Sequence, residues 1–173
     1  NAIAEICEMT GADVVKLADA IGYDPRIGRS FLDAGLGFGG GCLPKDIRAF
    51  IARAGEIGAG QSLLFLHEVD AINLRRRERV AEIAAELVGG TLIGRKVAVL
   101  GVAFKPDVQD ARNSPAAAVL AGIAARGAEI RYHDPLVPQF RDEAGTVHQG
   151  VGLDSLLHWA DVFVVVTAHR AID

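Results

Sequence analysis

This sequence lacks a basic stripe, a long apolar run and any cluster of metal-ligand residues. Its 18 basic and 22 acidic residues leave a net charge of -4, which argues against nucleic acid as a partner. The apolar runs are short, VFVVV at 162–166 among them, against the ~20 residues a membrane helix needs. The five histidines (His67, His133, His148, His158 and His169) are scattered without ligand spacing, so no metal site is expected. Two cysteines make a poor disulfide framework, and no leader segment is legible. A reducing, cytoplasmic setting follows. What is present is apolar content of 50% against 23% charged residues, enough for one good core or two small ones.

The chain opens on NAIAEICEMTGADV, already helical in spacing and without Met or a cap. That start, and the abrupt end at Asp173, read as part of a larger polypeptide. Helices are expected over 2–9 and 13–21, with Thr10-Gly11 between them and Asp13 near the second start. Residues 22–42 read as loop, with seven glycines. Pro44 suits a first helical turn and opens a helix to about Ala54. From Ser62 to Leu87 the pattern is one long helix. Leu63, Leu66, Val69, Asp70, Asn73, Val80, Ile83, Ala84 and Leu87 lie on or near one face, and RRRER covers an exposed middle. At ~1.5 Å per residue it spans about 40 Å, a length suited to a connector or a dimer spine; an ordinary core helix is the alternative.

After a glycine hinge at 88–96 the period changes. KVAVLGVAF (96–104) reads as a buried parallel strand. SPAAAVLAGIAARG (114–127) reads as a helix with Ser114 as cap and Gly127 as stop. Strands follow at 128–135 and 161–168. The expected fold is α/β: a helical region over residues 1–90, then a truncated, Rossmann-like, doubly wound α/β domain over residues 91–173.

Two stretches carry candidate chemistry. In GFGGGCLPKD (37–46) Cys42 stands at a helix N-terminus, where free N–H groups favour a thiolate. Lys45 adds a cation and Asp46 a carboxylate able to steer water. The set suits covalent catalysis through sulfur, and equally an inert cysteine at a glycine-rich turn. Cys7, between apolar helix positions, reads as core. In LGVAFKPDVQDARNSP (100–115) the G-x-G-x-x-G fingerprint is absent, and Lys105 and Arg112 offer charge to a phosphate near a helix start. A charged surface loop is the alternative. Asp134 is either a ribose acceptor or a turn residue, with the turn favoured. Trp159 is expected in the core.

Together these residues resemble the UDP-glucose 6-dehydrogenase family of nucleotide-sugar dehydrogenases. GFGGGCLPKD is similar to its catalytic-cysteine signature, DPRIGRSFL (24–32) to the segment before it, and GVAFKPDVQDARNSP to the start of its UDP-binding domain. The resemblance implies two oxidations of the sugar C6 alcohol, with hydride passed to NAD and a thioester on cysteine. It makes Cys42 the nucleophile, Asp46 the water-orienting group and Lys45 an active-site cation. It puts Phe38 and Gly39 at the sugar pocket, Phe31 near the nucleotide, and Phe104 and Lys105 at the UDP site. Arg26 would reach the diphosphate of a partner subunit, in a homodimer built on the long helix. The family's NAD-binding domain has no counterpart here, nor do the lysine and asparagine that assist oxidation, so this polypeptide alone is expected to be inactive. Gly41 stands where the family often has serine. UDP-glucose is the expected substrate, with GDP-mannose as the alternative. A non-catalytic nucleotide-binding dimerisation module is the alternative of a different class.

Overall fold

The computed structural model describes residues 1–142 and 144–172. Two short helices open it, α1 (Ala2–Thr10) and α2 (Val14–Gly22). Gly11 parts them at φ 71°, a left-handed turn that a Cβ disfavours. Asp13 then caps α2 by accepting the Val15 and Lys16 N–H groups at 2.9 and 3.3 Å, a device that contributes about 1 kcal/mol. Asn1 precedes α1 but does not cap it with its side chain; its Oδ1 accepts the Gly35 N–H at 2.9 Å. A loop leads to α3 (Leu43–Glu56), which has Pro44 in its first turn. A 3-10 turn (Gly60–Leu63) then starts the long helix α4 (Leu64–Leu87).

The expected pattern on α4 is corrected by its neighbours. Its buried residues are Asn73, Arg76, Ala81 and Ala84, while Ile83 and Leu87 are exposed. Within RRRER, Arg75 and Glu78 are exposed as expected, but Arg76 is only 9% accessible. The reason is that α1 and the loop before α3 lie over it. Arg76 donates to the Gly35 carbonyl at 3.2 Å and to Glu8 at 2.8 Å. Arg79 pairs with Glu8, Glu82 and Glu86. Cys7 is buried as expected, although Ile3 and Ile6 beside it are exposed.

The second half is built on a parallel sheet of order β2-β1-β5, from β1 (Lys96–Leu100), β2 (Glu129–His133) and β5 (Val162–Val165). Central β1 is buried from Val97 to Leu100. It ends there rather than at 104, because Gly101 turns to φ 77° and passes close to the Thr167 backbone. The crossover helix α5 (Pro115–Ala125) begins under Ser114, whose hydroxyl accepts the Ala116 N–H at 3.1 Å. Val97, Val99, Val119, Ile123 and Tyr132 form one core with Ala81 and Ala84 of α4. Each large apolar side chain so buried contributes roughly 1.5–3 kcal/mol, and the alanines let α4 approach closely. One helix thus serves both the cysteine loop and the sheet.

Along β5 burial alternates: Val162 and Val164 face the core, whereas Phe163 and Val165 are exposed. The strand has one covered face and lies at the end of the sheet order. Between β2 and β5 come a hairpin, β3 (Gln139–Arg141) with β4 (Val147–Gln149), and the short helix α6 (Leu153–Leu157). Trp159 is half-buried and packs against the small core cluster of Ala98, Leu100 and Leu156, with the Arg131 guanidinium 4.4 Å from its ring centre.

Candidate active site

Cys42 occupies the N-cap position of α3, and its side chain makes no capping hydrogen bond. It is an exposed free thiol, unlike buried Cys7. The N-cap position adjoins the unpaired N–H groups of a helix start, where negative charge is favoured. One turn on, Lys45 Nζ pairs with Asp46 Oδ1 at 2.8 Å. That hydrogen bond, then the Asp46 charge, holds the Lys45 ammonium above its usual range, and Cys42 adds to the effect.

The loop ahead of Cys42 is clamped by α4. Asn73 Oδ1 accepts the Phe38 N–H at 2.7 Å and its Nδ2 donates to the Phe38 carbonyl at 3.0 Å. Arg77 donates to that same carbonyl at 3.0 Å. Gly37 is needed because any Cβ there would collide with Asn73. Asn73 is 2% exposed, and a buried amide with both ends paired fixes a loop firmly. Sequence reasoning put Asn73 on a helix face but missed this role; the signal was a lone amide among apolar positions.

The two candidate stretches meet. Gly40 N–H donates to the Asn113 carbonyl at 3.0 Å. At φ 85° a Cβ on Gly40 would lie 3.2 Å from the Phe104 ring. Gly39 packs equally closely on Asn113 and Pro115. Phe104 thereby lies under the cysteine loop, and exposed Lys105 holds its ammonium 5.5 Å from the Phe104 ring centre.

Asp134 settles as a structural residue. Its Oδ2 accepts the Val102 and Ala103 N–H groups at 2.8 and 3.0 Å, and its Oδ1 accepts those of Leu136 and Val137 at 2.8 and 3.0 Å. Burial acts to raise this carboxyl, but these donors together with His169 hold it below the usual carboxylate range. With both oxygens engaged inside the protein, it is not a ribose acceptor.

Among the described residues, neither Arg26 nor Phe31 has a hydrogen bond or ring contact with the Cys42 or Lys105 stretches. Arg26 forks onto Asp24, its Nε lying 3.0 Å from Oδ1. Phe31 is fully exposed, at φ 65°. Arg112 pairs with Asp110, whose carboxyl that guanidinium pulls down to about 2. The described residues do not fit a dinucleotide: the β1–α5 turn has Gly101 alone in register, and its bare Cα serves the approach to Thr167. Among the described residues no His, Cys, Asp and Glu group could hold a metal ion, and no helix is long and apolar enough to cross a membrane.

Comparison with known proteins agrees with this geometry. Residues 1–75 match the central domain of the UDP-glucose/GDP-mannose dehydrogenase family, and residues 98–173 match its UDP binding domain. A UDP-glucose 6-dehydrogenase of Bacillus subtilis, TuaD, is 41% identical over 136 residues, which are 79% of this chain and 29% of that protein. A second from the same organism, YwqF, is 35% identical over 94% of this chain and 39% of its own length. The solved structure of a UDP-glucose dehydrogenase from Pyrobaculum islandicum superposes with a TM-score of 0.85 at 33% identity, covering 99% of this chain and 39% of that one. The chain thus spans about a third of the length of the relatives it matches. With both domain matches falling on the two stretches that the fold brings together, the chain belongs to the UDP-glucose/GDP-mannose dehydrogenase family.

Proposed function

We propose that this chain supplies the substrate side of an NAD-dependent UDP-glucose 6-dehydrogenase, which oxidises the sugar C6 alcohol twice to give UDP-glucuronate. The observation that carries the reading is the Gly40–Asn113 hydrogen bond. It joins the Cys42 loop to the stretch bearing Phe104 and Lys105, so one ligand can extend from a nucleophile to a phosphate-binding cation.

In this reading the Cys42 thiolate adds to the C6 aldehyde. A sulfur–carbon bond forms and the carbonyl oxygen takes a proton, giving a thiohemiacetal. Once that carbon is oxidised to the thioester, water held by Asp46 attacks it, the carbon–sulfur bond breaks, and the thiolate returns to Cys42. Lys45, ion-paired to Asp46 at 2.8 Å, supplies positive charge near the oxygen that becomes an oxyanion. Lys105 meets the diphosphate, with Phe104, Phe38 and Gly39 shaping the pocket. NAD is the hydride acceptor that the resemblance implies; the described residues form no cradle for it, and none of them is assigned to it.

The active form in this proposal is a cytoplasmic homodimer. Exposed Phe50, Ile57, Leu64 and Phe65 on and around α3 and α4 form the apolar surface that a second copy would cover. Arg26 would then reach the diphosphate in the partner's site, while Phe31 would lie near the nucleotide. Light scattering on the chain and its Phe65→Glu variant tests this: the proposal expects a dimer that the substitution dissociates, and a monomeric parent chain refutes it.

Calorimetry with UDP-glucose, UDP and GDP-mannose tests the substrate side. Micromolar binding of UDP-glucose and UDP, lost in Lys105→Ala, is expected. Preference for GDP-mannose overturns the substrate assignment, and indifference to Lys105→Ala overturns the site.

A further inference from the structure

The segment after β5 reaches back to the loop that carries Lys105. Thr167 Oγ1 donates to the Ala103 carbonyl at 2.6 Å. The Asp107 N–H donates to His169 Nδ1 at 3.0 Å. Arg170 adds its own N–H to Asp107 Oδ1 at 3.2 Å and its Nε to Oδ2 at 2.9 Å.

His169 is 2% exposed, and its geometry dictates its tautomer. A backbone N–H can only donate, so Nδ1 is bare and the ring proton stays on Nε2. That nitrogen lies 3.1 Å from Asp134 Oδ2 and donates to it. The same oxygen receives the N–H groups of Val102 and Ala103. Asp134 and His169 therefore grip the loop at both ends, 102–103 and 107, with Phe104 and Lys105 between. Asp107 is held at φ 58°, a left-handed conformation uncommon for a residue with a Cβ and maintained only where the surroundings enforce it.

We propose that His169 is a positioning residue for the nucleotide: neutral and protonated on Nε2, it locks Asp107 in its left-handed conformation and so sets where Lys105 presents its ammonium to a diphosphate. The role rests on the nucleotide-sugar reading given above. His169, being buried, acts through the loop.

The test uses the parent chain, His169→Ala and His169→Asn. Ring-nitrogen NMR reports the tautomer, amide hydrogen exchange reports the loop, and calorimetry with UDP reports binding. The asparagine variant can offer its side-chain oxygen to the Asp107 N–H, as Nδ1 does. The parent should show the Nε2-protonated ring. His169→Ala should speed exchange at Asp107 and weaken UDP about tenfold, the expected effect of leaving one part-buried donor unpaired. His169→Asn should recover most of that loss, and exchange at Val97 and Val99 should be unchanged throughout. A ring protonated on Nδ1 overturns the proposal. So does an asparagine variant as weak as alanine with exchange accelerated throughout the core, which marks a merely structural histidine. If the parent binds no UDP, the nucleotide reading falls and takes this role with it. If the parent binds and His169→Ala binds equally well, this role alone falls.

Discussion

Asn73 and Phe38, 35 residues apart in the chain, are joined by two hydrogen bonds, N–H to side-chain oxygen at 2.7 Å and side-chain NH2 to carbonyl at 3.0 Å. The amide of the long helix thus treats one loop residue as a strand would treat its neighbour. Asn73→Ala leaves both Phe38 groups without it, so it should destabilise the chain by about 2 kcal/mol. Urea denaturation measures this. Asn73→Asp keeps the acceptor but sets a carboxylate against the Phe38 carbonyl, and should be no better. A stable alanine variant would mean that Arg77 and packing alone hold the loop.

Gly40→Ala tests the junction of the two candidate stretches. The residue sits at φ 85° with the Phe104 ring 3.2 Å from where a Cβ would stand. The conformational penalty alone is about 1–2 kcal/mol, and the ring must also move. Lower stability in urea and weaker UDP binding are expected together. Lower stability with unchanged binding would separate Phe104 from the nucleotide.

The two cysteines should differ in reactivity. Under native conditions a thiol-specific disulfide reagent should modify exposed Cys42 and spare buried Cys7, both reacting only in denaturant. Mass spectrometry of the tryptic peptides identifies the site. Equal rates for both thiols would contradict the burial of α1 against its neighbours.

Asp134 sets an acid limit on stability. Its folded-state carboxyl lies below its ordinary value, held there by backbone donors and His169 against the effect of burial. A depressed carboxyl stabilises fully above its unfolded value near ~3.9, and that contribution is lost as pH falls through the folded value. Asp134→Ala should remove this part of the acid dependence and cost about 3 kcal/mol at neutral pH, since it strands the Val102 and Ala103 N–H groups. Urea midpoints of parent and variant between pH 7 and the acid transition would show the curves converging at low pH.

Much of this protein was legible in the order of its residues. Local signals placed the Asp13 and Ser114 caps, the Pro44 helix start, the Gly11 and Gly127 stops and the apolar β1, because capping, proline and left-handed turns act within a few residues. The composition of GFGGGCLPKD put Cys42 at a helix start for the same local reason. Pattern alone failed where a partner from far along the chain decides. RRRER looked solvated throughout until α1 brought Glu8 to Arg76 and Arg79. The hairpin of Gln139–Arg141 with Val147–Gln149 is too short to show a period. Asp134 looked like a simple turn residue until folding surrounded it with the Val102 and Ala103 amides and His169. The sequence by itself determined which residues could do chemistry; only tertiary structure decided that Asn73 clamps the cysteine loop and that Gly40 meets Asn113, because those hydrogen bonds exist only once distant backbone segments share one desolvated space.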